Sequence, residues 1–475
     1  MPLSEEDIAA LTISDAVAAL DEKRLTSQEY VQTLRDRIAA HNPALNAVLC
    51  LNEGASQEAE RRDKLRSKGK LSGPLHGIPM LIKDNLDVAG IPTTGATPSL
   101  RGNVPSQSAP VVKALQDAGV IVVGKTNLSE LASSYSTCNT SFAGICHNPY
   151  NLKHIAGGSS GGSGASVAAR FAPGALFTDT FGSTRCPSLC NGIYGFRPTH
   201  GRYSTVGLIP LVAMFDTVGP GARCVADLLL LDSVMSGGDA TRVNVEAKSL
   251  RVGVPRKFFY DGLTADVAQA FASSLAQLEA AGVTLVTADL PVDVSGNFED
   301  MFALATESFT RDFDAYLEVA IADPLNPLKQ KMKTMDVIEQ IANPVSQGFW
   351  REFIKPAPSS LLAAARQKRL DQTRRITDFF TTMRLDCLFY PGGPSTALPL
   401  AAGDMAGMAA YKGRYNVAPF NALPACAIPV GLGNDGLPIG AEVLGAPAAD
   451  RRTLAIAQLF EGILGHLPPP TLLAV

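Results

Sequence analysis

HIAGGSSGGSGASVAARFA, residues 154–172, places five glycines and four serines within positions 157–166 and then runs into an alanine-rich apolar segment. A flexible linker would be followed by polar, unstructured sequence, whereas ASVAARFA favours a helix. A phosphate-binding loop ends its glycine turn in a lysine, and GGSSGGSGA holds no lysine or arginine. A dinucleotide fingerprint needs a strand running directly into the first glycine, and none is read before Gly157. There remains a loop within an α/β core whose hydroxyls and backbone N–H groups serve a reacting centre.

The 475 residues exceed the size at which one core usually stops growing, so a single domain with insertions and a two-domain chain both start open. Hydrophobic residues make up 46% and charged residues 18%, with a net charge of -4, which offers no basic field to nucleic acid. The start, MPLSEEDIAAL, is acidic, and no apolar run reaches the roughly 18 residues of a membrane span. A cytoplasmic chain without a membrane partner is expected. The cysteines at 50, 138, 146, 186, 190, 224, 387 and 426 are scattered, so reduced thiols are expected. Neither Cys186 with Cys190 nor Cys146 beside His147 has a zinc spacing, and no metal or cofactor is expected.

Outward from the glycine-serine stretch the pattern alternates between strand and helix. Residues 1–65 read as helical: Thr26 and Glu29 have the spacing of a capping box, and Tyr30, Leu34 and Ile38 recur every fourth position. From residue 75 onward, short β-branched runs at 119–123, 176–178, 252–254, 283–286 and 387–390 are separated by helical patterns, among them 108–118 and the series Val267, Phe271, Leu275, Leu278. This predicts an α/β fold with a large mixed, mostly parallel sheet covered by helices on both faces. Residues 66–240 form the core, 290–380 a helical insertion on the substrate side that holds the single tryptophan, Trp350, and 381–475 a return to strand-and-turn character. Residues 1–475 thus read as one domain.

Two further stretches carry chemistry. GALFTDTFGSTRCPSLCNG, residues 174–192, leaves a strand through a tight turn at Phe181, Gly182 and Ser183, where a serine can sit among unpaired backbone amides, as oxyanion stabilisation requires. GIPMLIKDN, residues 77–85, sets Lys83 directly after MLI, where burial disfavours the ammonium form and yields a usable neutral base. Each signal alone is modest, since a lysine after an apolar run is most often a snorkelling surface residue. His147, His154 and His200 raise a Ser/His/Asp triad as the competing mechanism, and none lies in a sequence context of that kind.

The co-occurrence is more telling. GIPMLIKDN, GKTNLSELA, HNPYN, GGSSGGSGA, FTDTFGSTRCPSLCNGIYGFRPTHGRYS and FDTVGPGAR resemble, in order, segments of the amidase signature family, over about residues 8 to 460. The resemblance implies the amidase signature fold and hydrolysis of an amide C–N bond by a serine, cis-serine, lysine triad. Matched onto this chain, Ser183 is the nucleophile, Ser159 the bridging serine after a cis bond from Gly158, and Lys83 the base. The amides of Thr180, Phe181, Gly182 and Ser183 are implied to surround the oxyanion. Phe181 stands where glycine is common in the family: a positive φ there would strain a phenylalanine, and otherwise its ring lines the acyl pocket. Asp179 and Arg185 are placed to pair and brace the turn, Ser160 and Ser163 to bond within the loop, and Thr126, Asn127 and Glu130 to form a scaffold beside the site.

GRYSTVGLIPLVAMFDTVGP, residues 201–220, resembles the subgroup that acts on aryl acetamides such as indoleacetamide or mandelamide. Candidate substrate-binding residues are Gly158, Phe142, Phe181, Ile193 and Trp350. The expected partner is a small-molecule amide or carbamate, and a homodimer is compatible with this reading. The same family holds carbamate and aryl-ester hydrolases and the amidotransferase A subunit, which works inside a complex. A catalytically silent docking module and a nucleotide-binding protein are the readings from other classes.

Overall fold

The computed structural model describes residues 3–136, 142–403, 411 and 414–471. Its strands are β1 (Val48–Leu51), β2 (Pro79–Lys83), β3 (Ile121–Thr126), β4 (His147–Asn148), β5 (Asn151–Ile155), β6 (Gly174–Asp179), β7 (Tyr194–Arg197), β8 (Thr217–Ala222), β9 (Arg251–Val254), β10 (Thr284–Thr287), β11 (Cys387–Pro391), β12 (Ala425–Leu432) and β13 (Pro438–Gly445). One eleven-stranded sheet runs β1-β3-β2-β6-β8-β7-β12-β13-β11-β9-β10, and β4 and β5 form a separate ribbon. The strands β2, β3 and β6 are buried along their whole length, which is why PMLIK, IVVGKT and GALFTD read as near-continuous apolar runs rather than alternating ones.

The sheet is mixed, with its parallel ladders gathered in two blocks, β3–β2–β6 and β11–β9–β10. The ladders from β6 through β8, β7, β12 and β13 to β11 are antiparallel, as is β1 on β3. Chain connectivity explains the division. A short turn at 433–437 joins β12 to β13 and permits only a hairpin, whereas parallel neighbours require a crossover.

Helices cover the sheet. α1 (Glu5–Ala10), α2 (Ile13–Asp21), α3 (Ser27–Leu45) and α4 (Ala55–Ser67) come first, and α3 starts at the Thr26/Glu29 capping box. The helical reading of residues 1–65 needs one correction, because VLCL forms β1 between α3 and α4. Four residues are too few to show a period, and only pairing with β3 makes them a strand. Next in order are α5 (Pro110–Asp117), α6 (Gly161–Ala168), α7 (Arg185–Cys190), α8 (Val225–Met235) and α9 (Ala265–Ala280). The insertion supplies α10 (Asn297–Ala322), α11 (Thr334–Glu339), α12 (Pro344–Phe353) and α13 (Ser359–Met383), followed by α14 (Val417–Phe420) and α15 (Asp450–Leu464). Residues of α10 to α13, including Phe309, Phe313, Trp350 and Phe353, share one apolar cluster with Phe181 and Leu211, so the insertion packs over the turn that follows β6.

A strand does lead toward the glycines, contrary to expectation: β5 ends at Ile155, two residues before Gly157. Its sequence NLKHI is polar because it lies in the two-stranded ribbon outside the main sheet. The glycines then pass into α6, every residue of which is buried.

Candidate active site

Lys83 is the last residue of β2 and is fully buried. Its Nζ lies 2.8 Å from Ser159 Oγ and 2.8 Å from Thr178 Oγ1, and Thr178 Oγ1 also accepts from Asn85 Nδ2 at 3.0 Å. Loss of hydration strips the ammonium of its main stabilisation, and although the carboxylates of Asp179 and Asp216 oppose the effect, the pKa falls from 10.5 to about 7. The Gly158–Ser159 peptide bond is cis. A Cβ on Gly158 would lie 2.5 Å from the carbonyl oxygen of Ser134, so only glycine lets the loop approach that segment. The carbonyl of Ser159 accepts the Ser129 N–H at 3.1 Å, which ties the loop to the GKTNLSELA segment.

Ser183 stands on the turn between β6 and α7 and is 5% exposed. It lines a cavity, and its hydroxyl has no partner among the described residues. The turn is built around Asp179. Its carboxylate accepts the N–H of Gly182 at 3.1 Å and of Thr184 at 3.0 Å, and it pairs with Arg185 at 3.2 Å and Arg197 at 2.8 Å. Arg185 reaches on to Glu442 on β13, at 2.9 Å, and to the carbonyl of Tyr415, at 2.7 Å. Burial by itself would raise the Asp179 pKa, but the two guanidiniums more than reverse this and hold it well below the usual carboxylate range. On the other side of the turn, Asp216 accepts from Thr180 Oγ1 at 2.5 Å and from the amides of Leu211 and Val212 at 3.0 Å.

This geometry corrects one expected oxyanion donor. The Gly182 N–H is taken by Asp179, whereas the amides of Thr180, Phe181 and Ser183 meet no acceptor among the described residues. Gly182 serves another purpose. With φ at +128° and a Cβ position 2.4 Å from Tyr415 Cβ, it allows the turn to be made at all. Phe181 is absent from the positive-φ residues, so it carries no such strain. Its ring lines the cavity and meets Phe298 with centroids 5.4 Å apart.

Phe298 and Phe302 from α10, Phe349 and Phe353 from α12, Leu211 and Tyr135 complete the apolar wall. Three expected pocket residues lie elsewhere. Trp350 is fully buried behind the wall, stacked on Phe309 at 4.6 Å, because one step along α12 turns it about 100° away from Phe349. Phe142 packs under the Arg101 guanidinium at 4.3 Å. Ile193 belongs to the cluster with Phe171 and Phe177. Gly158 does not line the cavity either.

The supporting residues are placed simply. Ser163 Oγ lies 2.6 Å from Thr126 Oγ1, Ser160 Oγ donates to the carbonyl of Thr178 at 3.3 Å, and Asn127 Nδ2 donates to the carbonyl of Asn46 at 2.9 Å. The side chain of Glu130 is also fully buried. His147 and His200 bond backbone carbonyls rather than a serine. The described cysteines are unbridged, and Cys138 lies outside the described residues. Among the described residues no group of three or more His, Cys, Asp or Glu is placed to hold a metal ion, and no helix is long and apolar enough to cross a membrane.

Sequence reading misses Thr178, Asn85 and the four cavity phenylalanines of the insertion. For the last there is a signal: both pairs, 298/302 and 349/353, have the four-residue spacing that puts side chains on one helix face.

Known proteins resemble the chain throughout. Residues 29–454 match the family model described as Amidase. Mandelamide hydrolase of Pseudomonas putida is 33% identical, over 98% of this chain and 94% of its own length. The A subunit of glutamyl-tRNA(Gln) amidotransferase from Chloroflexus aggregans is also 33% identical, over 95% of this chain and 96% of its own. Among solved structures, the native peptide amidase from Stenotrophomonas maltophilia superposes with a TM-score of 0.86 at 28% identity, covering 98% of this chain and 99% of that one. The chain belongs to the amidase signature family and is an amidase, a hydrolase of amide C–N bonds.

Proposed function

We propose that this amidase hydrolyses small carboxamides with an aryl or apolar acyl group, through an acyl-enzyme formed by Lys83, Ser159 and Ser183. The observation that carries the reading is the buried amine of Lys83, 2.8 Å from Ser159 Oγ with a pKa brought to about 7. A serine hydroxyl at its ordinary pKa is a poor nucleophile and needs a base. Thr178 Oγ1, accepting from both Lys83 and Asn85, leaves the lone pair of the neutral amine directed at Ser159. As Ser183 Oγ attacks the carbonyl carbon, its proton passes to Ser159 Oγ and that of Ser159 to Lys83 Nζ. The oxyanion forms beside the unpartnered amides of Thr180, Phe181 and Ser183. Collapse breaks the C–N bond, and the departing nitrogen takes a proton back through Ser159. Water then attacks the acyl-Ser183 ester by the same relay and releases the acid.

The acyl group is assigned from the cavity wall. Five phenylalanines and Leu211 face it, and no charged side chain among the described residues lines it. Such a wall favours an apolar group and stacks or edges against an aromatic ring. The relay itself acts equally on a carbamate or an aryl ester, so those remain the chemical alternatives. A second reading, in which the chain works as the A-type component of a larger complex, is favoured by the 33% identity to the amidotransferase A subunit.

A panel of aryl, alkyl and amino-acid amides, anilides, carbamates and aryl esters, with Ser183→Ala as blank, tests the proposal. Turnover of aryl amides by the isolated chain, with a hydroxamate formed when hydroxylamine intercepts the acyl-enzyme, is expected. Activity surviving in Ser183→Ala refutes the nucleophile, and an isolated chain inert on every simple amide favours the reading as part of a complex.

A further inference from the structure

We infer that Tyr135 and Asn416 are positioning residues that lock the peptide between Phe181 and Gly182, and so fix the turn presenting Ser183. The inference rests on the proposed role of Ser183. Tyr135 Oη donates to the Phe181 carbonyl at 2.8 Å, and Asn416 Nδ2 donates to the same oxygen at 3.3 Å. A carbonyl oxygen only accepts, so the Asn416 amide must face it with nitrogen, and its own Oδ1 is left buried without a partner. An unsatisfied buried acceptor is costly, which marks the contact to Phe181 as the one worth keeping. At the other edge of the same peptide, the Gly182 N–H donates to Asp179 Oδ1 at 3.1 Å.

A peptide unit is planar, with C=O and N–H pointing oppositely. Two donors on one side and a carboxylate on the other therefore hold its orientation from both faces. Gly182 makes such a clamp necessary. Glycine tolerates φ of either sign, so the plane before it can turn over far more readily than one before a side-chain-bearing residue. Turned over, it would set the Phe181 oxygen against the Asp179 carboxylate and an N–H against two donors. The torsions flanking that plane, ψ of Phe181 and φ of Gly182, help to set where the adjoining amides of Phe181 and Ser183 and the Ser183 hydroxyl stand. Tyr135, Phe181 and Ser183 line one cavity, so an error in the plane is felt where the substrate carbonyl sits. Tyr415, next to Asn416, packs on Gly182 from the same segment.

Tyr135→Phe tests this, because it removes one hydroxyl and leaves the ring in the cavity wall. We expect kcat on an aryl amide to fall about 3- to 10-fold, with KM within about twofold, the size of one net hydrogen bond. An aldehyde analogue of the acyl group, which forms a tetrahedral adduct on the serine, should lose affinity by the same factor. In the double variant with Asn416→Leu, kcat should fall by more than the product of the single effects, since either donor alone still holds the oxygen. A lowered melting temperature with kcat and aldehyde affinity unchanged would show mere packing and overturn the inference, as would a rise in KM alone. A double effect equal to the product would remove Asn416 from the clamp. Ser183→Ala separates the levels: if it remains active, the serine reading fails; if it is dead while Tyr135→Phe is normal, only the clamp fails.

Discussion

The acid limb of the rate profile follows from the setting of Lys83. Its pKa is brought from 10.5 to about 7, and two carboxylates, Asp179 and Asp216, keep it from falling further. A lysine titrating near 10.5 would be neutral in roughly one molecule in 3,000 at neutral pH, whereas here about half are. That difference in usable base is on the order of 10³, or roughly 5 kcal/mol. Protonation removes the base, so kcat/KM should drop about tenfold for each pH unit below about 7 and level off above about 8. The assay is release of acid from a neutral amide, which does not titrate itself, scanned from about pH 5 to about pH 9.5 with Ser183→Ala subtracted. Lys83→Arg is the companion variant: a guanidinium cannot lose its proton, and the enzyme should be inactive across the whole range. A plateau reaching below pH 6, a limb near pH 10, or substantial activity in Lys83→Arg would refute a neutral lysine base.

Three other outcomes are expected. Lys83→Met should stabilise the fold, because the unfolded lysine binds a proton that the folded one gives up between about pH 7 and about pH 10.4; the penalty is complete below pH 7 and fades as pH rises. Guanidinium melts should show a gain of about 1–4 kcal/mol at pH 6 that narrows toward pH 10. Phe302→Ala should raise KM for phenyl-bearing amides by about tenfold or more, from the loss of an apolar contact, while acetamide is little affected. Asp179→Asn leaves the fully buried Arg185 and Arg197 short of a counter-charge, and urea melts should register a loss of about 3–5 kcal/mol.

Legibility in the sequence follows local chemistry. The strand before Lys83 is legible because PMLI is an unbroken apolar run, as a strand buried on both faces requires, whereas the burial of Lys83 itself becomes legible only beside the glycine-serine loop and the turn after β6. The loop holding Ser159 and the turn holding Ser183 stand out through their glycines. Thr178 does not, since one threonine in a buried strand looks like any β-branched residue until β2 lies beside it. The insertion's aromatics show the limit of periodicity. Phe298, Phe302, Phe309 and Phe313 share a helix face, yet the first pair lines the cavity and the second is core, and only the crossing of α12 decides which. Trp350 draws attention by its size and rarity, while rotation along the helix gives the wall to Phe349 and Phe353. The resemblance assigns the Gly182 amide to the oxyanion, whereas in the structure its N–H donates to the side chain of Asp179, three residues back in a turn whose shape no pattern specifies.

The arginine beneath the turn of Ser183 has a bearing on dissection of the molecule. Lys83, Ser159 and Ser183 all fall before residue 240, which invites the idea of a minimal catalytic fragment, yet Arg185 is held by Glu442 and by the backbone of Tyr415. Excising the first half would strand that guanidinium without its distant counter-ion and free the loop it anchors. Splitting the polypeptide upstream of 415 should therefore yield pieces that work only when recombined, however complete the list of reacting groups in the first piece.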